Sequence, residues 1–362
     1  MDYAVIMAGG TGKRLWPLSR RRRPKQVLRL LHGETLLGQC FKRLAPIFPS
    51  ERIIVLTNQA YVDLVREELP ALPVNNVIAE PLVRDTAGAI GLAATLLVQR
   101  DPEARMAVVT ADQIIQPASI LQQAIHDALA FIKQQPTALV TFGIKPTHAS
   151  TQYGYVQCGE LRRVDGCTLP IQSVLAFREK PDQSTAETYM ARGDTFWNAG
   201  MFVWQAGRVL ELLDQFLPDA TLPLKAIGAA WGQPDWEDVL YRQFVELPKI
   251  SIDFAIMEKA PEVHAIRLDC DWLDMGTLNA LTDVVVADAN GNTVAGGLGR
   301  LFDSRNNIVV TEKADHMIAT IGLENMIVAH SDDVTLVCPI DQAGRLKELL
   351  EQLEQGGDEA YL

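Results

Sequence analysis

The first 26 residues constrain this chain most. A short apolar run, Tyr3 to Met7, opens directly into Ala8-Gly9-Gly10-Thr11-Gly12-Lys13-Arg14-Leu15-Trp16-Pro17-Leu18 and, shortly after, Pro24-Lys25-Gln26. The run is too short and too rich in β-formers for a helix, and reads as a buried strand. Gly9, Gly10 and Gly12 permit backbone conformations that a side chain blocks, so successive N–H groups can face an anion. Arg14 and Lys25 supply the formal positive charge that amides lack. Neither GxGxxG nor GxxxxGK[ST] is present, so the dinucleotide fingerprint and the Walker loop are poor fits. A strand-to-loop junction of this kind suits a nucleoside triphosphate.

Strand and helix then alternate. Helices are expected at residues 35–44, 61–69, from about 87 (capped by Thr86), 120–133 and 184–192, and strands at 52–57, 77–80, 106–110, 137–144 and 171–178. This is the pattern of a parallel sheet covered on both faces, which binds ligands at the carboxyl ends of its strands. Helices dominate from 206 to about 241. Beyond about Asp288 the character changes: short β-branched runs between Gly and Asn turns read as small strands and tight corners. Residues 341–353 form an amphipathic helix with Leu346, Leu349, Leu350 and Leu353 on one face, expected to pack on the first domain or on a second subunit.

Polar residues at the ends of these elements carry the chemistry. Asp112 follows the 106–110 strand, where a carboxylate suits a hard divalent cation or serves as a turn residue. Asp274 lies in a second acidic string, Asp271-Trp272-Leu273-Asp274-Met275-Gly276-Thr277, in which Trp272 reads as a packing residue. Glu179-Lys180-Pro181 ends a strand; a carboxylate suits vicinal hydroxyls and a compact ammonium suits a phosphate, the alternative being a surface ion pair of little consequence. Asn198 can donate and accept, and Gly200 lets backbone come close. Asp253, in Ser251-Ile252-Asp253-Phe254, is either a helix cap or a sugar-side residue. The small residues Ala87, Gly88, Ala89 and Gly91 read as tight helix packing, and Tyr153 and Tyr155 as core or edge aromatics.

Taken together, these strings resemble those of the sugar-phosphate nucleotidyltransferases, most closely the mannose-1-phosphate guanylyltransferases. The resemblance spans nearly the whole chain. It implies an α/β, Rossmann-like (GT-A-like) catalytic domain with a mixed, mainly parallel sheet over residues 1–285, and a short left-handed β-helix-like domain with a C-terminal helix over 286–362. It assigns Ala8, Gly9, Gly10, Thr11, Gly12 and Lys13 to the phosphates. Glu80, Arg84, Thr86 and Ala87, matching EPxxRNTAPAI, would line the guanine pocket. Gly154 of Tyr153-Gly154-Tyr155, with Glu179, Lys180, Asn198, Gly200 and Asp253, would hold the sugar phosphate. Arg14, Lys25, Asp112 and Asp274 would be catalytic, the two carboxylates holding Mg²⁺, with Mn²⁺ as an alternative.

The implied reaction joins mannose 1-phosphate to GTP, giving GDP-mannose and pyrophosphate by in-line attack on the α-phosphorus. A phosphomonoester whose second pKa is about 6 needs no general base at neutral pH. Three departures from the family pattern, Asp85 for Asn, Gly88 for Pro and Gln113 for His, keep another sugar or base open. A non-catalytic nucleotide-sugar-binding subunit is a further alternative, against which the intact Arg14, Lys25, Asp112 and Asp274 stand. Longer bifunctional relatives continue into a phosphomannose isomerase domain.

Composition excludes other partners. A net charge of -12 argues against nucleic acid and anionic membranes, which reward positive surfaces. The run Arg20-Arg21-Arg22-Arg23 therefore reads as solvated or phosphate-steering. With no leader-like segment and no bilayer-length apolar run, a cytoplasmic protein is expected; a homodimer is the expected assembly. The scattered Cys40, Cys158, Cys167, Cys270 and Cys338 read as reduced thiols rather than disulfides or zinc ligands.

Overall fold

In the computed structural model, which describes residues 1–30 and 33–362, alternate residues of β1 (Asp2–Ala8) serve two different cores. Ala4, Ile6 and Ala8 join one, Tyr3 and Val5 the other. A strand buried on both faces must be central, which is why its sequence is continuously apolar instead of alternating. β1 pairs in parallel with β2 (Ile53–Asn58), which carries β3 (Val77–Glu80) at the sheet edge, and on its other side with β4 (Arg105–Thr110). The connecting helices are α1 (Leu36–Leu44), α2 (Val62–Glu68) and α3 (Asp85–Arg100).

After β4 the chain leaves the sheet as β5 (Gln113–Gln116), then forms α4 (Ala118–Gln134) and re-enters as β6 (Leu139–Ile144). β7 (Tyr155–Arg162), β8 (Ile171–Arg178), α5 (Gln183–Arg192) and β9 (Thr195–Gln205) follow, then α6 (Ala206–Phe216), α7 (Thr221–Ala230), α8 (Trp236–Glu246), a π-helical turn Asp253–Met257, and β10 (Val263–Leu268). The nine-stranded sheet has the order β3-β2-β1-β4-β9-β6-β10-β8-β7. Its β1–β4 half is parallel, and β9 lies antiparallel between β4 and β6. α1, α2 and α4 cover one face; α3, α6, α7 and α8 cover the other. The small residues of α3 do pack tightly, since a Cβ on Gly91 would stand 2.9 Å from Leu224 Cδ1.

β11 (Asp271–Asp274) pairs with β5 as a separate antiparallel ribbon. Next come β12 (Thr293–Ala295), β13 (Leu298–Phe302), β14 (Ile308–Thr311), β15 (Met317–Ile321), β16 (Met326–His330) and β17 (Thr335–Pro339). β12, β14 and β16 stack in parallel, β13 stacks on β15, and β17 closes the stack antiparallel to β16. This is a short β-helix. Its asparagines are structural: buried Asn307 donates to Asn292 Oδ1 at 2.9 Å and to the Leu323 carbonyl at 2.8 Å, while Met326 N–H donates to Asn307 Oδ1 at 2.9 Å. Each side-chain amide thus satisfies backbone groups of neighbouring coils that would otherwise be buried unpaired.

The terminal amphipathic segment divides into a 3₁₀ turn, Ile340–Arg345, and α9 (Leu346–Gly356). Of its two expected packing partners it meets the first domain: Leu346, Leu349, Leu350 and Leu353 join a third core with Leu15, Trp16 and Leu18 of the N-terminal loop, Leu273 in the ribbon and Met275 just after it, and Ile308, Val310 and Ile327 of the β-helix. In the four-arginine run Arg21 and Arg22 are exposed, in keeping with the solvated expectation, while three of the four also find carboxylate partners within the chain. Arg20 pairs with Asp333, Arg21 with Glu354, and Arg23 with Glu312 at 2.6 Å. The acidic C-terminal part supplies their counter-charges. Trp16 Nε1 also donates to the Tyr361 carbonyl at 2.7 Å, and Arg21 N–H to that of Leu362 at 3.1 Å. All five cysteines are free, and among the described residues no helix is long and apolar enough to cross a membrane.

Candidate active site

The glycine turn leaves β1 at Ala8, whose carbonyl accepts from Thr57 Oγ1 at 3.0 Å. Gly12 has φ 70, and a Cβ there would lie 2.7 Å from Lys25 Cβ. Glycine is required at that position twice over, for its backbone and for the close pass of Lys25. Lys25 in turn forms an ion pair with Asp112. Lys13 and Arg14 stay exposed on the turn, with Thr11 beside them half-buried.

Asp112 lies two residues past β4 and directly before β5, and the β5–β11 ribbon brings Asp274 to it. Asp274 pairs across the ribbon with Gln113, and Met275 N–H donates to the Asp112 carbonyl at 3.1 Å. Burial first, and the Asp112 carboxylate second, push the Asp274 pKa up, while Lys25 and Arg14 oppose the rise. A Cβ on Gly276 would lie 3.2 Å from Asp274 Oδ2 and 3.4 Å from Arg14 Nη2. Arg14, Lys25, Asp112 and Asp274, widely spaced in sequence, therefore form one cluster. Its donors are hard oxygens facing each other's charge, which fits a divalent cation. No group of three or more metal-ligating side chains gathers among the described residues. Two carboxylates with phosphate and water oxygens completing the shell is the coordination Mg²⁺ favours.

Of the residues expected at the base, Glu80 ends β3 at 7% exposure, with Oε1 3.0 Å from where a Gly9 Cβ would stand. Burial alone pushes its pKa up to about 7. Its three companions in the expected base pocket make internal ties. Arg84 donates to the Phe244 carbonyl at 3.2 Å and to that of Val245 at the end of α8. Ala87 N–H donates to the Ile250 carbonyl at 3.2 Å. Thr86 does not cap α3. The helix starts one residue earlier, at Asp85 with φ 60, and Thr86 Oγ1 accepts from Ile252 N–H at 2.8 Å. Asp tolerates the left-handed region better than most residues, which accommodates Asp85 there.

Of the residues expected at the sugar phosphate, Gly154 lies against the Glu179 carboxylate so closely that any Cβ would collide with it, and its carbonyl accepts from Asn198 N–H at 2.8 Å. Glu179 pairs with Lys180 Nζ at 3.0 Å, and Lys180 has φ 44 with a side chain 60% exposed. Gly200 has φ 67 with open space where a Cβ would point. The Asn198 amide is committed within the protein. Its oxygen accepts from Thr141 Oγ1 at 2.8 Å and Gly200 N–H at 3.2 Å, and its nitrogen donates to Asp253 Oδ1 at 3.0 Å. Asp253 is thus bonded to Asn198 rather than acting as a cap. Burial, and then the Glu179 carboxylate, push its pKa up to about 7.

Gln113, standing where the resemblance expects His, donates to the Ala199 carbonyl at 2.7 Å and accepts from Trp272 Nε1 at 3.1 Å. It fastens the ribbon to β9. Two contributors carried no signal in the sequence: Glu258, whose Oε1 accepts from Glu179 N–H at 3.0 Å, and Thr141. Beside the turn opens a cavity of about 840 Å³, with Thr11, Lys13 and Arg14 on one wall and Leu346, Leu349 and Leu350 on the other.

Residues 3–291 match a family model described as nucleotidyl transferase, and residues 301–353 one described as a MannoseP isomerase/GMP-like beta-helix domain. The chain is 37% identical to a mannose-1-phosphate guanylyltransferase of Klebsiella pneumoniae and 36% identical to one of Escherichia coli, in each case over 100% of this chain and 76% of that protein. Among solved structures, a mannose-1-phosphate geranyltransferase, as it is called, from Thermus thermophilus aligns with TM-score 0.85 at 32% identity, covering 98% of this chain and 99% of that one.

Proposed function

We propose, from the premise that this chain belongs to the nucleotidyl transferase family alongside the mannose-1-phosphate guanylyltransferases, that it condenses mannose 1-phosphate with GTP to GDP-mannose and pyrophosphate. The observation that carries this reading is the meeting of Asp112 and Asp274 with Arg14 and Lys25 beside the glycine turn. We assign the catalytic unit to residues 1–285 and a supporting β-helix and helix to 286–362.

In this reading the turn from Gly9 to Lys13 offers backbone N–H groups and Arg14 a guanidinium to the triphosphate, in a fixed arrangement that needs no reorganisation during reaction. Glu80 selects the base. Guanine presents a ring N–H next to an exocyclic amine, and a carboxylate accepts from both; adenine has no such pair of donors. Because those donors favour the ionised form, base binding favours release of the proton to solvent from a carboxyl whose pKa is about 7. The exposed Lys180 ammonium holds the attacking phosphate, while Glu179 accepts from sugar hydroxyls. Mg²⁺ on Asp112 and Asp274 would supply Lewis-acid neutralisation of phosphate oxygens. A sugar phosphate oxygen then attacks the α-phosphorus, the bond to pyrophosphate breaks on the opposite side, and no protein group has to remove a proton.

Pyrophosphate release is expected when the protein meets GTP, mannose 1-phosphate and Mg²⁺, and much less with ATP or UTP. No release with any pair of triphosphate and sugar phosphate would reduce the chain to a binding protein; release with a different pair would move the specificity and keep the chemistry.

A further inference from the structure

Residues 250–258 join the nucleotide side of the site to the sugar side. At one end, the Ile250 carbonyl accepts from Ala87 N–H and Ile252 N–H donates to Thr86 Oγ1, both in the first turn of α3. At the other, Asp253 accepts from Asn198, and Glu258 Oε1 accepts from Glu179 N–H at 3.0 Å. Between them the chain makes a π-turn, closed by Glu258 N–H to the Asp253 carbonyl at 3.0 Å. Residues five apart fall near one face of such a turn, whereas at 3.6 residues per turn they diverge. That local geometry lets two carboxylates from one short segment serve two sugar-side residues. The segment is anchored by Ile252, Ala255, Ile256 and Met257, all buried.

We infer that Glu258 is a positioning residue for the sugar phosphate: by holding the Glu179 N–H it fixes the left-handed Lys180 that presents its ammonium to the phosphate. The inference rests on the reading above, in which Lys180 binds that phosphate. A residue bearing a Cβ at φ 44 is held there only where its surroundings determine it. Glu258 accepts from the backbone N–H of Glu179, the residue before Lys180, so it holds the chain one peptide upstream without occupying the ligand's space. Released from it, the Glu179–Lys180 backbone relaxes toward an ordinary region and the ammonium moves off the phosphate.

The test is steady-state kinetics of Glu258→Ala and Glu258→Gln. For Glu258→Ala, KM for mannose 1-phosphate should rise about tenfold, the scale of one charge-assisted hydrogen bond, with kcat and KM for GTP within about twofold. Glu258→Gln keeps an acceptor oxygen and should stay within about threefold of wild type. On a Lys180→Ala background, Glu258→Ala should add no further loss, because it acts through that ammonium. An unchanged KM in Glu258→Ala, equal damage from Gln and Ala, or losses that multiply on the Lys180→Ala background would each overturn the inference. Absence of turnover in the wild-type protein would be a failure of the functional reading instead. Titration calorimetry of mannose 1-phosphate against the same variants would then carry the comparison without turnover.

Discussion

Glu80 is a buried carboxyl whose pH dependence makes its proposed part in base recognition testable. Its carboxyl is buried with nothing opposing the desolvation, so the native state holds that proton more tightly than the unfolded chain does. Its contribution to stability is therefore complete below the ordinary glutamate pKa and is lost as pH rises toward 7. Glu80→Gln removes the titration. It should raise the stability of the ligand-free protein at pH 8 by about 1–3 kcal/mol, with the gain shrinking toward pH 5, while weakening GTP binding. Thermal melts at both pH values and a GTP titration check the two halves. Asp274→Asn should lower turnover by a factor on the order of 10²–10³ and weaken the Mg²⁺ dependence, because a neutral amide cannot supply the negative charge that, with Asp112, would balance the cation; pyrophosphate release against Mg²⁺ concentration reads both. Residue types of this sort were legible in the sequence because charge beside a strand end stands out. Their partners were not: Asn198 has the right chemistry for a sugar hydroxyl, yet its donors and acceptors come from Thr141, Gly200 and Asp253, which no local pattern brings together.

Elements were legible where periodicity is strong. The buried β1, the alternation through β6 and the helices α4 and α5 follow from runs of apolar residues with the right repeat. What escaped were details set by one backbone angle. Thr86 has the residue type of an N-cap, but Asp85 at φ 60 starts α3 ahead of it and turns its hydroxyl to a different duty. The π-turn at Asp253–Met257 has no sequence period at all. The glycine turn is the element most sensitive to a methyl group. Gly12→Ala must accept a strained φ and displace Lys25, so it should cost about 1–3 kcal/mol in urea denaturation and raise the KM for GTP more than that for mannose 1-phosphate.

At the scale of the molecule, the third core decides how the two parts of the chain hold together. The arginine pairs with Asp333, Glu354 and Glu312 mark the joint on its surface, while Leu15, Ile308 and Ile327 fill it. Exposed ion pairs contribute little and deleted core methyls leave cavities. Arg21→Ala should therefore change stability by about 0–1 kcal/mol and Ile327→Ala by about 2–5 kcal/mol, as measured by chemical denaturation. The same joint braces the glycine turn from behind through Trp16 and Arg21, so Ile327→Ala should also weaken GTP binding although it lies far along the chain. That small strands and tight corners follow the catalytic sheet was readable from the Asn and Gly residues, and the resemblance implied a β-helix; that its core continues into the N-terminal loop was not readable, because apolar pattern says which residues are buried but not against what.

The ribbon of β5 and β11 has a consequence in time. Ribosomes deliver this chain from its N-terminus, so the glycine turn, both cations and Asp112 emerge and can settle into the sheet while the strand bearing Asp274 is still unsynthesised. No nascent chain that stops short of β11 holds both carboxylates, so under the proposed reading translation itself withholds the pair until the ribbon can close.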